Sequence, residues 1–230
     1  MIPLDALALA SLTFVAYQAF WMSQGRSTRA SKWIAFVHAS FSGAVAAWYF
    51  VPQAMEILEG PVSTLRAPAP VFSACTVGYL AHDLVVLITF WLRRRAETDT
   101  PLLVLHHLVV GGAILTTLAL GTGGPLLNAF MTNELSTPWL HTGELWGLDG
   151  VDALCAQALF AAEFFLLRVV LAPILTGRLV VLVPHLGLSD EAQVLVVFIA
   201  FLYLGINAIW LTRIVHAVVD KLTHQIRGAA

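Results

Sequence analysis

The sequence predicts an all-α fold, a polytopic bundle of about seven transmembrane helices with the N-terminus outside or lumenal and the C-terminus cytosolic. Composition is the first observation: of 230 residues, 59% are hydrophobic and only 11% charged, a balance outside that of ordinary water-soluble domains. The second is spacing. About seven apolar stretches of about 20 residues, the length that crosses a hydrocarbon core, account for roughly 140 positions and leave only short loops. The third is the uneven placement of basic residues, which sets orientation.

No charged residue occurs between Asp5 and Arg26, or from Trp33 to Met55, so the first two spans fall near 3–22 and 33–52. Val71 to Leu92 is apolar except for His82 and Asp83, and forms the third. The stretch from Thr100 to Asn133 lacks Asp, Glu, Lys and Arg, but Gly121-Thr-Gly-Gly-Pro125 cuts it, since clustered glycine and proline favour a turn. A fourth span over 102–120 and a shorter fifth over 126–141, containing Glu134 and Pro138, follow. The sixth runs from near Ala153 to about Pro173, and the seventh from Ala192 to Thr212 with an interfacial extension through His216 and Lys221. The organisation is thus a first span and basic loop (1–32), a main membrane domain (33–220) and a short tail (221–230).

The opening Met-Ile-Pro-Leu-Asp lacks the basic flank of a cleavable signal, so the first span reads as a retained anchor. Arg26, Arg29 and Lys32 follow span one; Arg93, Arg94 and Arg95 follow span three; Arg213, Lys221 and Arg227 follow span seven. The opposite loops carry only Arg66 and Arg178, which puts the nine-residue side in the cytosol. A net charge of −2 with basic residues in small loop clusters does not support a nucleic-acid groove. The lysines are Lys32 and Lys221, neither inside the last span, which excludes a retinal Schiff-base protein. Cys75 and Cys155 lie in apolar runs and read as buried thiols.

Charge at mid-bilayer costs at least about 2.5–3.5 kcal/mol, so Asp83, Glu134, Glu163 and Arg168 must face protein or a wet cavity. At 1.5 Å per residue from the expected cytosolic ends, His38, His107 and Asn207 come at about 7.5 Å, Glu134 at about 10.5 Å, Asp83 at about 13.5 Å and Glu163 at about 15 Å. Six polar side chains from six spans therefore share one slab. Glu134 shares a helix face with Thr137, Pro138 and His141, and Asp83 with Thr76 and Tyr79. Adjacent His106 and His107 diverge by 100° and cannot both face one partner squarely, while Glu163 and Arg168, five apart, are poorly placed to pair with each other. Interhelical hydrogen bonding is the plainer reading for His38, Asp83, Arg168 and Asn207. The His pair with Glu134 supports a functional reading equally well.

The double His106-His107, the upstream Gly-Tyr-Leu-Ala-His-Asp83, the Asn133-Glu-Leu-Ser-Thr-Pro-Trp139 run and Asn207-Ala-Ile-Trp210 together resemble the TLC family. That family groups ceramide synthases, translocating-chain-associated membrane proteins, a ceroid-lipofuscinosis protein and small TLC domain-containing proteins, and the small members are the most similar. The resemblance covers roughly residues 33–220. It implies a multi-pass protein of the endoplasmic reticulum or a related internal membrane that works in lipid homeostasis or lipid metabolism. Ceramide synthases carry two Asp three residues apart after their double His. By that spacing the first position is Glu134 and the second is Thr137, so one carboxylate is kept and the other is missing.

Two functions follow. One is a lipid-binding protein with a cytosol-open cavity that holds an acyl chain or membrane lipid among His38, His82, Asp83, Thr137, His141, Glu163, Arg168 and Asn207. The other is an acyltransferase, with His106 or His107 as base or nucleophile, Glu134 orienting it and acyl-CoA as co-substrate. No metal or other cofactor is expected: the eight histidines are scattered and lack the His-x-x-His-His spacing of di-iron membrane hydroxylases. A transporter is disfavoured because there is no internal repeat and only span five looks broken.

Overall fold

A computed structural model describes residues 2–60, 70–93 and 100–228. Arg66, Arg94 and Arg95 lie outside the described residues, as do the side chains of Lys221 and Arg227. Every regular element among the described residues is helical: α1 (Leu4–Ser23), α2 (Thr28–Phe50), α3 (Ala54–Glu59), α4 (Pro70–Leu92), α5 (Thr100–Leu120), α6 (Gly124–Met131), α7 (Ser136–Leu145), α8 (Gly150–Glu163), α9 (Ala172–Leu182) and α10 (Asp190–Gly228). Six helical stretches are long and apolar enough to cross a bilayer, with mean hydropathy from 1.3 to 2.5: 4–23, 28–59, 70–92, 100–120, 150–185 and 190–219.

The fifth expected span, 126–141, is not one helix. After the break at Gly121 and Gly123, both with positive φ, α6 runs eight residues, tightens into a 3-10 turn over Thr132–Leu135 and resumes as α7. Its course is still that of a span packed antiparallel to α2, because Asn128 Nδ2 donates to Ala46 O at 3.0 Å near one end and Lys32 Nζ meets Glu144 Oε2 at 2.5 Å near the other. Glu134 sits on the tightened turn. A proline at 138 cannot donate to residue 134 and crowds its carbonyl, which accounts for a turn that is not α-helical at this point.

The sixth expected span was to end near Pro173, yet the helix continues to Leu182. It does so through a π-helical segment, Phe164–Leu171, in which the Ala172 N–H reaches back to Leu167 O. Widening the turn just before Pro173 relocates the hydrogen bond that proline cannot make, so the chain stays helical instead of breaking. Arg168 lies in this wide segment.

Packing follows small residues. A Cβ at Gly78 would strike Ala10 O of α1 and approach Thr13 Cβ to 2.8 Å, so α1 and α4 touch backbone to backbone. His82 Nδ1 lies 2.9 Å from Gln18 Oε1 and fixes the same pair one turn further on, with the two helices parallel. The buried apolar cluster around Trp21, Ile34, Tyr79, Leu80 and Ile114 joins α1, α2, α4 and α5. A second cluster, Phe50, Ile57, Leu126, Leu175 and Leu182, holds α2 and α3 against α6 and α9. Cys155, expected to be buried, is exposed on α8, and Cys75 is half-buried. The outward α8 buries only Ala156 in its whole length, which leaves the thiol uncovered.

Candidate functional site

Four helices, α1, α2, α4 and α5, bring the first cluster together. Asp83 on α4 and His107 on α5 meet at 2.8 Å, Oδ2 to Nε2, with Asp83 13% and His107 7% exposed at the side chain. The other ring nitrogen, Nδ1, donates to Leu103 O at 2.7 Å, one turn earlier on α5. A carbonyl only accepts, so Nδ1 carries a hydrogen, and the short contact to the carboxylate needs a second one. The pair is therefore neutral as a unit, an imidazolium beside a carboxylate or an imidazole beside a carboxylic acid. His38 of α2 stacks on Tyr79 at 4.0 Å between ring centroids, and Tyr79 lies 6.3 Å from the His107 ring. His82, wholly buried, completes this side against Gln18, Tyr17 and Trp21.

The second cluster centres on Arg168. Its guanidinium donates from Nη2 to Asn133 O at 3.1 Å, from Nε to Ser136 Oγ at 3.3 Å and from Nη1 to Asn207 Oδ1 at 3.4 Å. Glu134 Oε1 is 3.9 Å away, and the rings of Phe164 and Trp210 lie 5.7 and 5.8 Å from the guanidinium carbon. A buried cation is tolerated only with charge and hydrogen-bond partners of this kind. Asn133 Nδ2 donates to Tyr203 OH at 2.7 Å, and Thr137 Oγ1 lies 3.5 Å from Glu134 Oε2. His106 bridges the two clusters, with its ring 5.6 Å from His107, 4.8 Å from Trp210 and 6.0 Å from Tyr203. Its buried Nδ1 has no partner.

The slab read from the sequence is thus assembled, with one exception and a changed pairing. Glu163 stands apart: its carboxyl takes a hydrogen bond from Trp139, and Oε2 is buried without a partner. The carboxylate on His107 is Asp83 rather than Glu134, which lies instead against Arg168. Thr137 and His141 are half-buried on the face of α7 next to Glu134. Tyr79, Tyr203, Gln18, Asn133 and Ser136 were not among the expected site residues. Gln18 already stood out as an amide inside the first apolar span, and Tyr79, Asn133 and Ser136 lie within the runs that carry the family resemblance.

Beside these clusters lies an apolar cavity between α5, α6, α9 and α10, of about 880 Å³ with the open space at its mouth included. Val109, Ala113, Phe130 and Ala200 line its body, and Glu134 and Tyr203 line the part nearest the two polar clusters. From there it extends towards Leu120, Gly123 and Leu188. Along α5 its lining thus runs from Val109, close to the His pair, towards the last residues of the helix. Among the described residues, no three His, Cys, Asp or Glu are grouped to hold a metal ion.

Comparison with protein families matches residues 30–216 to the TLC domain. The chain belongs to the TLC domain family. Among curated proteins, a TLC domain-containing protein 4 from Xenopus tropicalis is 32% identical over 107 residues, which is 44% of this chain and 39% of the relative. The match thus spans well under half of that relative's length. No solved structure matches the chain significantly. The family assignment makes this an integral multi-pass membrane protein of the TLC type, and the six long apolar helices agree with it.

Proposed function

We propose that this TLC domain protein serves lipid homeostasis by binding an acyl chain or lipid within the bundle, in an internal membrane such as the endoplasmic reticulum. The observation that carries the reading is the cavity itself, whose walls are mostly apolar and whose lining includes one carboxylate, Glu134, and a phenol, Tyr203. Such a space suits a chain along the walls with its polar end at Glu134, which the buried Arg168 keeps close to charge balance. Purification of the full chain in mild detergent, followed by mass spectrometry of the retained lipids, tests it. Wild type is expected to retain a defined lipid, and Ala113→Trp or Ala200→Trp, which fill the cavity, to lose it. The same lipids on filled and unfilled protein would overturn the proposal.

An acyltransferase is the second reading, favoured by His106. Both ring nitrogens of His107 are engaged, whereas His106 keeps an unpartnered Nδ1, with its ring 6.0 Å from that of Tyr203, a residue of the cavity wall. His106 then takes the proton of an acceptor hydroxyl or amine as it attacks the acyl-CoA carbonyl, and Asp83–His107 acts as a neutral support behind it. Supplying acyl-CoA in the same lipid measurement separates the two readings, since only an enzyme releases CoA and a new acylated product.

A further inference from the structure

A smaller cavity lies on the other side of α6, between α2, α4 and α5, enclosing about 540 Å³ with its mouth. Leu127 and Met131 of α6 line both cavities, so this short helix is the wall between them. Its chemistry differs from that of the first. No Asp, Glu, Lys or Arg lines it; its polar groups are His38, Ser42, Ser73, Cys75, Thr76 and Asn128.

We propose that this second cavity is a binding site for a neutral amphipath with a single hydroxyl head, of the long-chain alcohol or sterol class, whose hydroxyl meets His38 Nε2. His38 is 3% exposed, lines the cavity, and has Nε2 buried with no partner. A buried polar atom without a partner keeps its desolvation cost, so a ligand that satisfies it binds with that advantage. A hydroxyl both donates and accepts and therefore suits the imidazole in either tautomer. A carboxylate or ammonium head would enter a space with no counter-charge on its walls, at a much greater desolvation cost. The rest of the ligand lies against the Phe41–Phe72 ring pair and against Val45, Ile114 and Leu127. The Ser42 and Thr76 hydroxyls donate to their own helix backbones, at Ala39 O and Phe72 O, which leaves their oxygens as acceptors on the wall.

Photo-crosslinking of the full chain in phosphatidylcholine vesicles tests this. The probes are a diazirine-bearing long-chain alcohol, diazirine-bearing cholesterol, and a diazirine-bearing fatty acid of the alcohol's length, with adducts mapped by mass spectrometry. The alcohol or the sterol is expected to label segments 41–45 and 72–76, whichever fits better naming the source, and the fatty acid to leave them unlabelled. His38→Leu is expected to cut that labelling about fivefold, the worth of one neutral hydrogen bond, and His38→Gln to restore part of it. Cys75→Trp fills the space without removing a hydrogen bond and is expected to abolish the labelling. It keeps the test decisive if His38→Leu fails to fold. Equal labelling by all three probes, or labelling that survives Cys75→Trp, would overturn the proposal, as would no labelling of these segments by either hydroxyl probe.

Discussion

At Arg168 a single side chain connects three helical segments, through Asn133, Ser136 and Asn207 as well as Glu134. Its removal leaves those groups buried with fewer partners, so Arg168→Met is expected to destabilise the protein by about 3–5 kcal/mol, the range found when one member of a buried pair is lost. Glu134→Gln is milder. The guanidinium keeps its three neutral acceptors, and the amide keeps the side chain's shape, so the melting temperature in detergent is expected to change little while lipid retention is lost. Loss of folding in Glu134→Gln would make the residue a structural partner of Arg168 and remove it from the cavity chemistry. Position 137 carries a further expectation, that the chain does not form ceramide. In the resembling synthases a second carboxylate stands there, whereas Thr137 offers a hydroxyl 3.5 Å from Glu134 and no charge. Expression in cells without their own ceramide synthases, fed a sphingoid base and an acyl-CoA precursor, checks this. Ceramide that disappears with His106→Ala would reverse it and raise the enzyme reading to first place.

At the scale of elements, the close contact of α1 with α4 depends on one residue. Gly78→Leu places carbon where Ala10 O and Thr13 now lie, and backbone is the part that cannot yield. Separation of α1 from α4 is expected, at a cost of about 1–3 kcal/mol or more, together with faster limited proteolysis near residue 25. Gly112, whose Cβ would meet nothing within 4 Å, is the control: Gly112→Ala is expected to be neutral or slightly stabilising, since alanine is the better helix former. The same elements show what was legible in the sequence. Long uncharged runs fixed where helices lie, and Gly121 to Pro125 marked the break before α6, because both are properties of local chain chemistry. The passage of the helix through Pro173 was not legible, since the π-helical compensation depends on how the chain before it settles against its neighbours. The partner of His107 was not legible either. Depth along a span follows from counting residues, but the rotation that presents Asp83 and not Glu134 to that imidazole is set by contacts such as Gly78 on α1 and Gln18 on His82, between segments far apart in sequence.

The whole molecule has two chemically distinct ends. One carries Arg26, Arg29, Lys32 and Arg93, with Arg29 Nη2 donating to Leu145 O at 3.0 Å and the rings of Trp33 and Phe36 centred 4.9 and 5.0 Å from that of Trp146. Basic residues beside clustered tryptophans are the pattern of a cytosolic interface. At the other end, Arg178 donates to the carbonyls of Ile57 and Gly60, so it acts as a clamp on the end of α3 and adds little to the count that orients the chain. The first end is therefore expected to face the cytosol, with the N-terminus on the opposite side. In a Cys75→Ser, Cys155→Ser background, Gln24→Cys is expected to react with an impermeant maleimide only from the cytosol, and Ser189→Cys only from the other face. Both positions are exposed, so absence of reaction from either side would show a fold other than this one. The orientation also determines where lipid reaches the cavities. Gly123 lines the first and Gly124 the second, so both reach the break before α6, at the end away from the basic residues. Labelling in the expected sense places that access in the non-cytosolic leaflet, whereas labelling in the reverse sense would open both cavities to the cytosolic leaflet and make cytosolic acyl-CoA a direct supplier of the first.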